Sequence, residues 1–147
     1  MADWLTPYLT FDGNCGDAVE FYREALGGES QIMRAGDAPP NPAFAVPEAN
    51  KNMVLHAEIV KDGQVLLLMS DNLMGAPYSV GNNISFVLQF DTEDETRAMF
   101  TALSWEGVIE MEPQSTFFSP LYAKFTDRFG VNWQLRCRPE EERSNKG

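Results

Sequence analysis

Hydrophobic and polar residues alternate over Pro7 to Asp12, where Leu9 and Phe11 interleave with Tyr8 and Thr10 before a Gly-Asn turn. This period of two predicts a half-buried strand. From Asn14, a residue type suited to N-capping, Ala18, Phe21, Tyr22, Ala25 and Leu26 recur at helical spacing until Gly27 and Gly28 interrupt them. That spacing predicts a helix with one apolar face. Glu29 to Ala35 reads as a short strand. Asp37 to Asn52 holds Pro39, Pro40, Pro42 and Pro47, which excludes a helix or a central strand and predicts a mobile loop. Met53 to Val60 and Gln64 to Ser70 read as a hairpin joined at Lys61-Asp62-Gly63, because Asp-Gly suits the positive φ of a tight turn. Asp71 to Asn82, with two glycines and a proline, reads as a linker.

The second half follows the same plan. Asn83 to Phe90 predicts a strand, and Thr92-Glu93-Asp94-Glu95 has the form of a capping box. A helix follows with Met99, Phe100, Ala102 and Leu103 inward, stopped by Gly107. Val108 to Glu112, Leu121 to Thr126 and Val131 to Cys137 supply three more strands. An offset of 79 residues superposes Leu9 on Leu88, Phe11 on Phe90, Asp12 on Asp91, Phe21 on Phe100 and Gly28 on Gly107. The expected architecture is therefore α+β, one domain built from two βαβββ modules. Module one spans about 5–72, a linker about 73–82, module two about 83–138, and a polar tail 139–147. Each module alone leaves one face of a small sheet uncovered, and pairing buries it.

The chain has 147 residues and 44% hydrophobic side chains, including 10 Phe, 4 Tyr and 3 Trp, a composition that supports a packed core. The net charge of -11, shared by both halves, argues against nucleic acid as a partner, since phosphate binding needs a basic face. Met1 to Pro7 has neither a basic start nor an apolar run of signal-peptide length, and no stretch approaches a membrane span. The expected location is the cytoplasm. Cys15 and Cys137 are the only cysteines, with no CxxC pattern, and are expected to be reduced thiols.

Several separated motifs carry a family resemblance: Pro-Tyr-Leu-Thr-Phe-Asp-Gly-Asn-Cys at 7–15, Ala-Val-Glu-Phe-Tyr at 18–22, Leu-Gly-Gly-Glu at 26–29, Leu-His-Ala at 55–57 and Met-Ser-Asp at 69–71. Thr-Phe-Phe-Ser-Pro at 116–120 and Thr-Asp-Arg-Phe-Gly-Val-Asn-Trp at 126–133 extend it. From Pro7 to Cys137 the chain resembles the PhnB-like branch of the glyoxalase/bleomycin-resistance, or vicinal oxygen chelate, superfamily. The resemblance implies paired βαβββ modules with sheets curled around a central pocket, helices outside, and a homodimer. Members have also carried the label demethylubiquinone methyltransferase. The sequence does not support that activity, because no Gly-rich turn follows a strand in the manner of a nucleotide-binding α/β fold.

Enzymes of the superfamily hold a divalent metal through His, Glu or Gln on the first and last strands of both modules, a donor set that leaves positions open for substrate. The corresponding first-strand positions fall near Leu5 and Ile84, and the neighbours Trp4, Thr6, Asn83 and Ser85 supply neither His nor carboxylate. The last-strand positions fall near Leu67 and on Gln134, of which only Gln134 has a donor atom. No metal and no cofactor are expected.

The only histidine, His56, shares a strand face with Glu58. The two read either as an acid-base couple or as a structural histidine and its neighbour. Alternation leaves Tyr8, Thr10, Ser85 and Gln89 opposite the helix-facing Leu9, Phe11, Phe86, Leu88 and Phe90, and sets Gln134 and Arg136 against Trp133 and Leu135. These polar groups are candidate ligand contacts, or pair with one another. Phe117, Phe118 and Met74 are placed in loops that cap an apolar pocket or a dimer contact. The leading expectation is a metal-free protein binding a small molecule through Tyr8, Thr10, His56, Ser85, Gln89, Gln134 and Arg136 beneath the Pro-rich loop. Two alternatives stand beside it: an enzyme of the same fold using His56 and Glu58 or an atypical metal site, and a protein that sequesters a cationic drug.

Overall fold

In the computed structural model, which describes residues 4–143, the chain runs through β1 (Tyr8–Phe11), α1 (Cys15–Leu26), β2 (Glu29–Arg34), β3 (Val54–Lys61), β4 (Gln64–Asp71), β5 (Phe86–Phe90), α2 (Glu93–Leu103), β6 (Val108–Thr116), β7 (Ser119–Thr126) and β8 (Asn132–Cys137). The first residues of the segment inspected for a leader, 1–3, and the end of the polar tail, 144–147, lie outside the described residues. The backbone divides into two compact units, Met1–Ser79 and Val80–Gly147. Each contains one four-stranded sheet, ordered β1-β4-β3-β2 in the first and β5-β8-β7-β6 in the second. In both, the first strand pairs parallel to the last and the other pairs are antiparallel. This is the α+β, βαβββ arrangement repeated, with neither sheet closed into a barrel.

Each sheet buries one face against its helix. In the first unit Phe11, Ala57, Ile59, Leu67 and Met69 meet Cys15, Ala18, Val19, Tyr22 and Leu26 of α1. In the second, Leu121, Ala123, Phe125, Trp133, Leu135 and Cys137 lie under α2, whose Thr96 and Leu103 are buried and whose Phe100 packs edge-on to Phe125 at 5.6 Å. Burial alternates without a break along β7 and β8, as the period of two requires.

The loop between β2 and β3 is neither α-helix nor strand, but it carries three single-turn 3₁₀ segments, Ala35–Asp37, Pro42–Phe44 and Glu48–Asn50. Asn41 accepts a bond from the Ala43 N–H at 3.0 Å and initiates the second of these. The matching connection in the second unit is the two-residue turn Phe117–Phe118. Strand β6 extends to Thr116, beyond the expected end at Glu112. Its Pro113 is tolerated because β6 is an edge strand with one row of backbone groups unpaired.

Helix α1 begins after Asn14, but the Asn14 side chain makes no capping bond. Asp71 performs that role instead: its Oδ1 accepts the N–H groups of Gly13 and Cys15, both at 2.9 Å, while Oδ2 accepts Val54 N–H at 2.9 Å. The linker pattern that begins at Asp71 in the sequence thus includes the last residue of β4, which is nearly fully buried and falls within module one. In α2 the expected capping residue holds: Thr92 Oγ1 accepts Glu95 N–H at 3.1 Å. That helix ends at Leu103, and Ser104, not Gly107, caps it.

Gly107 has a different role, which Gly28 shares. A Cβ on Gly28 would collide with the carbonyl oxygen of Val60, and one on Gly107 with that of Thr126. In both units a glycine entering the second strand lies flat against the backbone at the end of the third.

Candidate functional site

Opposite its helix, the second sheet carries a hydrogen-bonded polar face. Tyr122 on β7 donates its hydroxyl to Gln134 Oε1 at 2.6 Å, and Gln134 Nε2 donates to Ser85 Oγ at 2.8 Å. One register step along, Arg136 donates from one guanidinium nitrogen to Gln89 Oε1 at 2.7 Å, and Gln89 and Arg136 are Cα partners in the parallel β5–β8 pair. The other terminal nitrogen of Arg136 lies 2.9 Å from Glu142 Oε1 and 3.5 Å from the Phe118 carbonyl oxygen. Lys124 and Glu110 form a further ion pair at 3.5 Å, and Arg138 pairs with Asp91 at 2.8 Å beyond the end of β8.

The second unit thus brings together Ser85, Gln89, Gln134 and Arg136, four residues selected from sequence, and pairs them with one another. Tyr122 was missed, although it alternates with Leu121, Ala123 and Phe125 in a strand already recognised. Burial, partly offset by Lys124, raises the Tyr122 phenol above its ordinary value, so it remains a hydroxyl donor. Glu142 was missed because it lies on a short 3₁₀ turn, Glu140–Glu142, in a stretch read as polar tail.

Beside this face a groove of about 570 Å³ runs between the β6–β7 turn and the Glu140–Glu142 turn, with Phe117, Phe118, Pro120, Arg136, Glu142 and Arg143 among its walls. Phe118 meets Tyr122 edge-on at 5.0 Å, whereas Phe117 is fully exposed.

The first unit presents Tyr8, Thr10, His56 and Glu58 on its open face; Tyr8, Thr10 and His56 are exposed and Glu58 is half-buried. Among the described residues neither the His56 nor the Glu58 side chain has a hydrogen-bond or ion-pair partner. The Pro-rich loop borders a separate concavity of about 770 Å³ lined by Pro39, Pro42, Phe44, Val46, Lys51 and Leu55 with their neighbours. Met74 is half-exposed in the segment after β4.

The residues present do not fit a divalent metal. Leu5 and Ile84 are apolar and exposed, and Leu67 is buried against the helix side. The Gln134 amide already accepts from Tyr122 and donates to Ser85. Among the described residues no three His, Cys, Asp or Glu side chains converge in a way that could hold a metal ion.

The repeated module defines the class. A glyoxylase/bleomycin resistance protein/dioxygenase domain from Frankia sp. has the same fold, with a TM-score of 0.63 at 11% identity over 95% of this chain and 94% of that one. The family model described as 3-demethylubiquinone-9 3-methyltransferase matches residues 3–136, and the chain belongs to that family, the PhnB-like branch of the class. Protein YjdN of Escherichia coli K12 is 31% identical over 136 residues, covering 89% of this chain and 92% of that protein. The crystal structure of PA1353 from Pseudomonas aeruginosa has a TM-score of 0.81 at 34% identity, covering 91% of this chain and 96% of that one. A PhnB protein from Bacillus cereus, titled with the same methyltransferase, has a TM-score of 0.71 at 26% identity, with 91% and 98% covered. The family description names a methyl transfer; helix N-termini with free N–H groups, which hold phosphate groups in nucleotide-binding α/β folds, are partly occupied in this chain. Here Asp71 takes the N–H groups at the start of α1 and Thr92 takes that of Glu95 in α2.

Proposed function

We propose that this chain is a metal-free small-molecule-binding protein whose ligand rests on the open face of the second sheet. The observation that supports this reading is the prearranged pair of hydrogen-bonded chains, Tyr122–Gln134–Ser85 and Arg136–Gln89. Their geometry is fixed before any ligand arrives, which lowers the ordering cost of binding. They also keep unused capacity: among the described residues the Gln89 amide NH₂ and the Ser85 hydroxyl hydrogen have no protein acceptor. Phe118, edge-on to Tyr122, supplies the apolar wall that sites of this kind combine with a few polar groups. Tyr8, Thr10 and His56 form a separate polar set on the first sheet and are secondary candidates.

The test is a thermal-shift screen of the untagged protein against a small-molecule panel and, separately, zinc, nickel, manganese and iron(II). A ligand at about 100 times its Kd adds roughly 2.7 kcal/mol, or a rise of about 5–10 °C for a chain of this size. Organic compounds are expected to produce such shifts, and Gln134→Leu is expected to remove them. A stoichiometric metal, or a shift with metal alone, would overturn the reading.

A further inference from the structure

Arg136 is held as an anion-recognising group is held, yet the anion against it belongs to the protein. The Gln89 amide oxygen orients one arm of the guanidinium and the Phe118 carbonyl lies near the other, while the side chain is only 19% exposed. Glu142, whose side chain is 49% exposed, sets a carboxylate oxygen 2.9 Å from that second arm. The segment carrying Glu142 is a single 3₁₀ turn whose backbone closes through Glu142 N–H to Pro139 O at 2.9 Å and Arg143 N–H to Glu140 O at 3.2 Å. A one-turn element of this kind has little local stability.

The groove between this turn and Phe117–Phe118 begins at the same guanidinium. One wall is aromatic, one end is the Arg136–Glu142 pair, and Arg143 stands at the rim with no acidic partner among the described residues. From this arrangement we infer that the groove is a site for a small aromatic carboxylate, and that Glu142 holds the place which the ligand's carboxylate takes on Arg136. A planar guanidinium matches a carboxylate fork, so exchanging one carboxylate for another preserves the charge pairing. The aromatic ring then gains contact with Phe118 and Phe117, which is what favours the ligand over Glu142. The protein's net charge of -11 opposes any anion at long range. That field is screened beyond about 10 Å at 0.1 M salt, however, whereas the guanidinium acts at contact.

This inference rests on the small-molecule-binding reading, and its test separates the two. Benzoate, benzamide and benzylamine are titrated into the protein and followed by NMR, with wild type, Glu142→Gln, Arg136→Gln and Arg136→Lys compared. Benzoate is expected to bind, and benzamide and benzylamine more weakly. Glu142→Gln removes the competing carboxylate and should tighten benzoate roughly two- to fivefold, the worth of an exposed ion pair. Arg136→Gln should weaken it by about tenfold or more. If Arg136→Gln unfolds, Arg136→Lys serves in its place, keeping the charge and losing the fork, with a smaller weakening expected. Benzamide binding as tightly as benzoate, or Glu142→Gln leaving benzoate affinity unchanged or weaker, overturns the inference and leaves the binding reading standing. Absence of benzoate binding to both wild type and Glu142→Gln overturns it as well, and if the broad panel also yields nothing, the binding reading falls with it.

Discussion

Asp71 Oδ1 accepts the backbone N–H of Cys15 at 2.9 Å, joining the last residue of β4 to the first turn of α1. With Gly13 and Val54 also donating to it, one buried carboxylate fixes the start of the helix, the start of β3 and the end of β4. Replacement by Asn keeps the shape, removes the charge and aims an NH₂ group at backbone donors. Asp71→Asn should therefore cost about 3 kcal/mol, read as a lowered urea midpoint with an unchanged slope.

Burial, reinforced by the Asp71 charge, pushes the Cys15 thiol up to about 12 from 9.0. The folded chain keeps this proton at pH values where the unfolded chain releases it. The resulting stability is complete below pH 9, declines above it, and is gone once the pH passes about 12. Urea midpoints from pH 8 upward should fall more steeply in the wild type than in Cys15→Ala. Parallel curves would show that the thiol contributes nothing to alkaline sensitivity.

Gly28→Ala and Gly107→Ala should act as a pair. In each case the new methyl meets a carbonyl oxygen of a strand end, Val60 or Thr126, and cannot rotate away. Each substitution is expected to destabilise by about 1–3 kcal/mol, measurable by thermal denaturation. A much larger effect at one site than the other would show that the two contacts are not equivalent.

His56→Ala should change stability by less than about 0.5 kcal/mol, because the side chain is exposed and has no bonding partner among the described residues. The same variant should retain ligand shifts that depend on Gln134. Loss of those shifts in His56→Ala would transfer the site to the first sheet.

Much of the fold could be read from local patterns. The hairpin at Lys61-Asp62-Gly63 was legible because Asp62 and Gly63 must both take positive φ, 52° and 77°, and Asp-Gly is suited to it. Thr92 was legible because its partner lies three residues away. Asp71 was not, since its partners Cys15 and Gly13 lie 56 and 58 residues distant and no local spacing links them. The polar face was half legible: alternation selected Gln134 and Arg136, but their commitment to Tyr122, Gln89 and Glu142 depends on strand register and on a tail turn that hydrophobic pattern does not address. The repeat was clear at one offset for only the first three elements, because the two copies differ in length between their second and third strands.

That difference in length sets where each half of the molecule can change. The first copy spans residues 35–53 between β2 and β3, while the second closes the same gap with Phe117 and Phe118. Loop closure grows costlier only slowly with added residues, so this joint can gain or lose chain while the paired strands stay in register. The long version therefore tolerates insertion and deletion, whereas a change in the length of the tight version would disturb the β6–β7 ladder beside it.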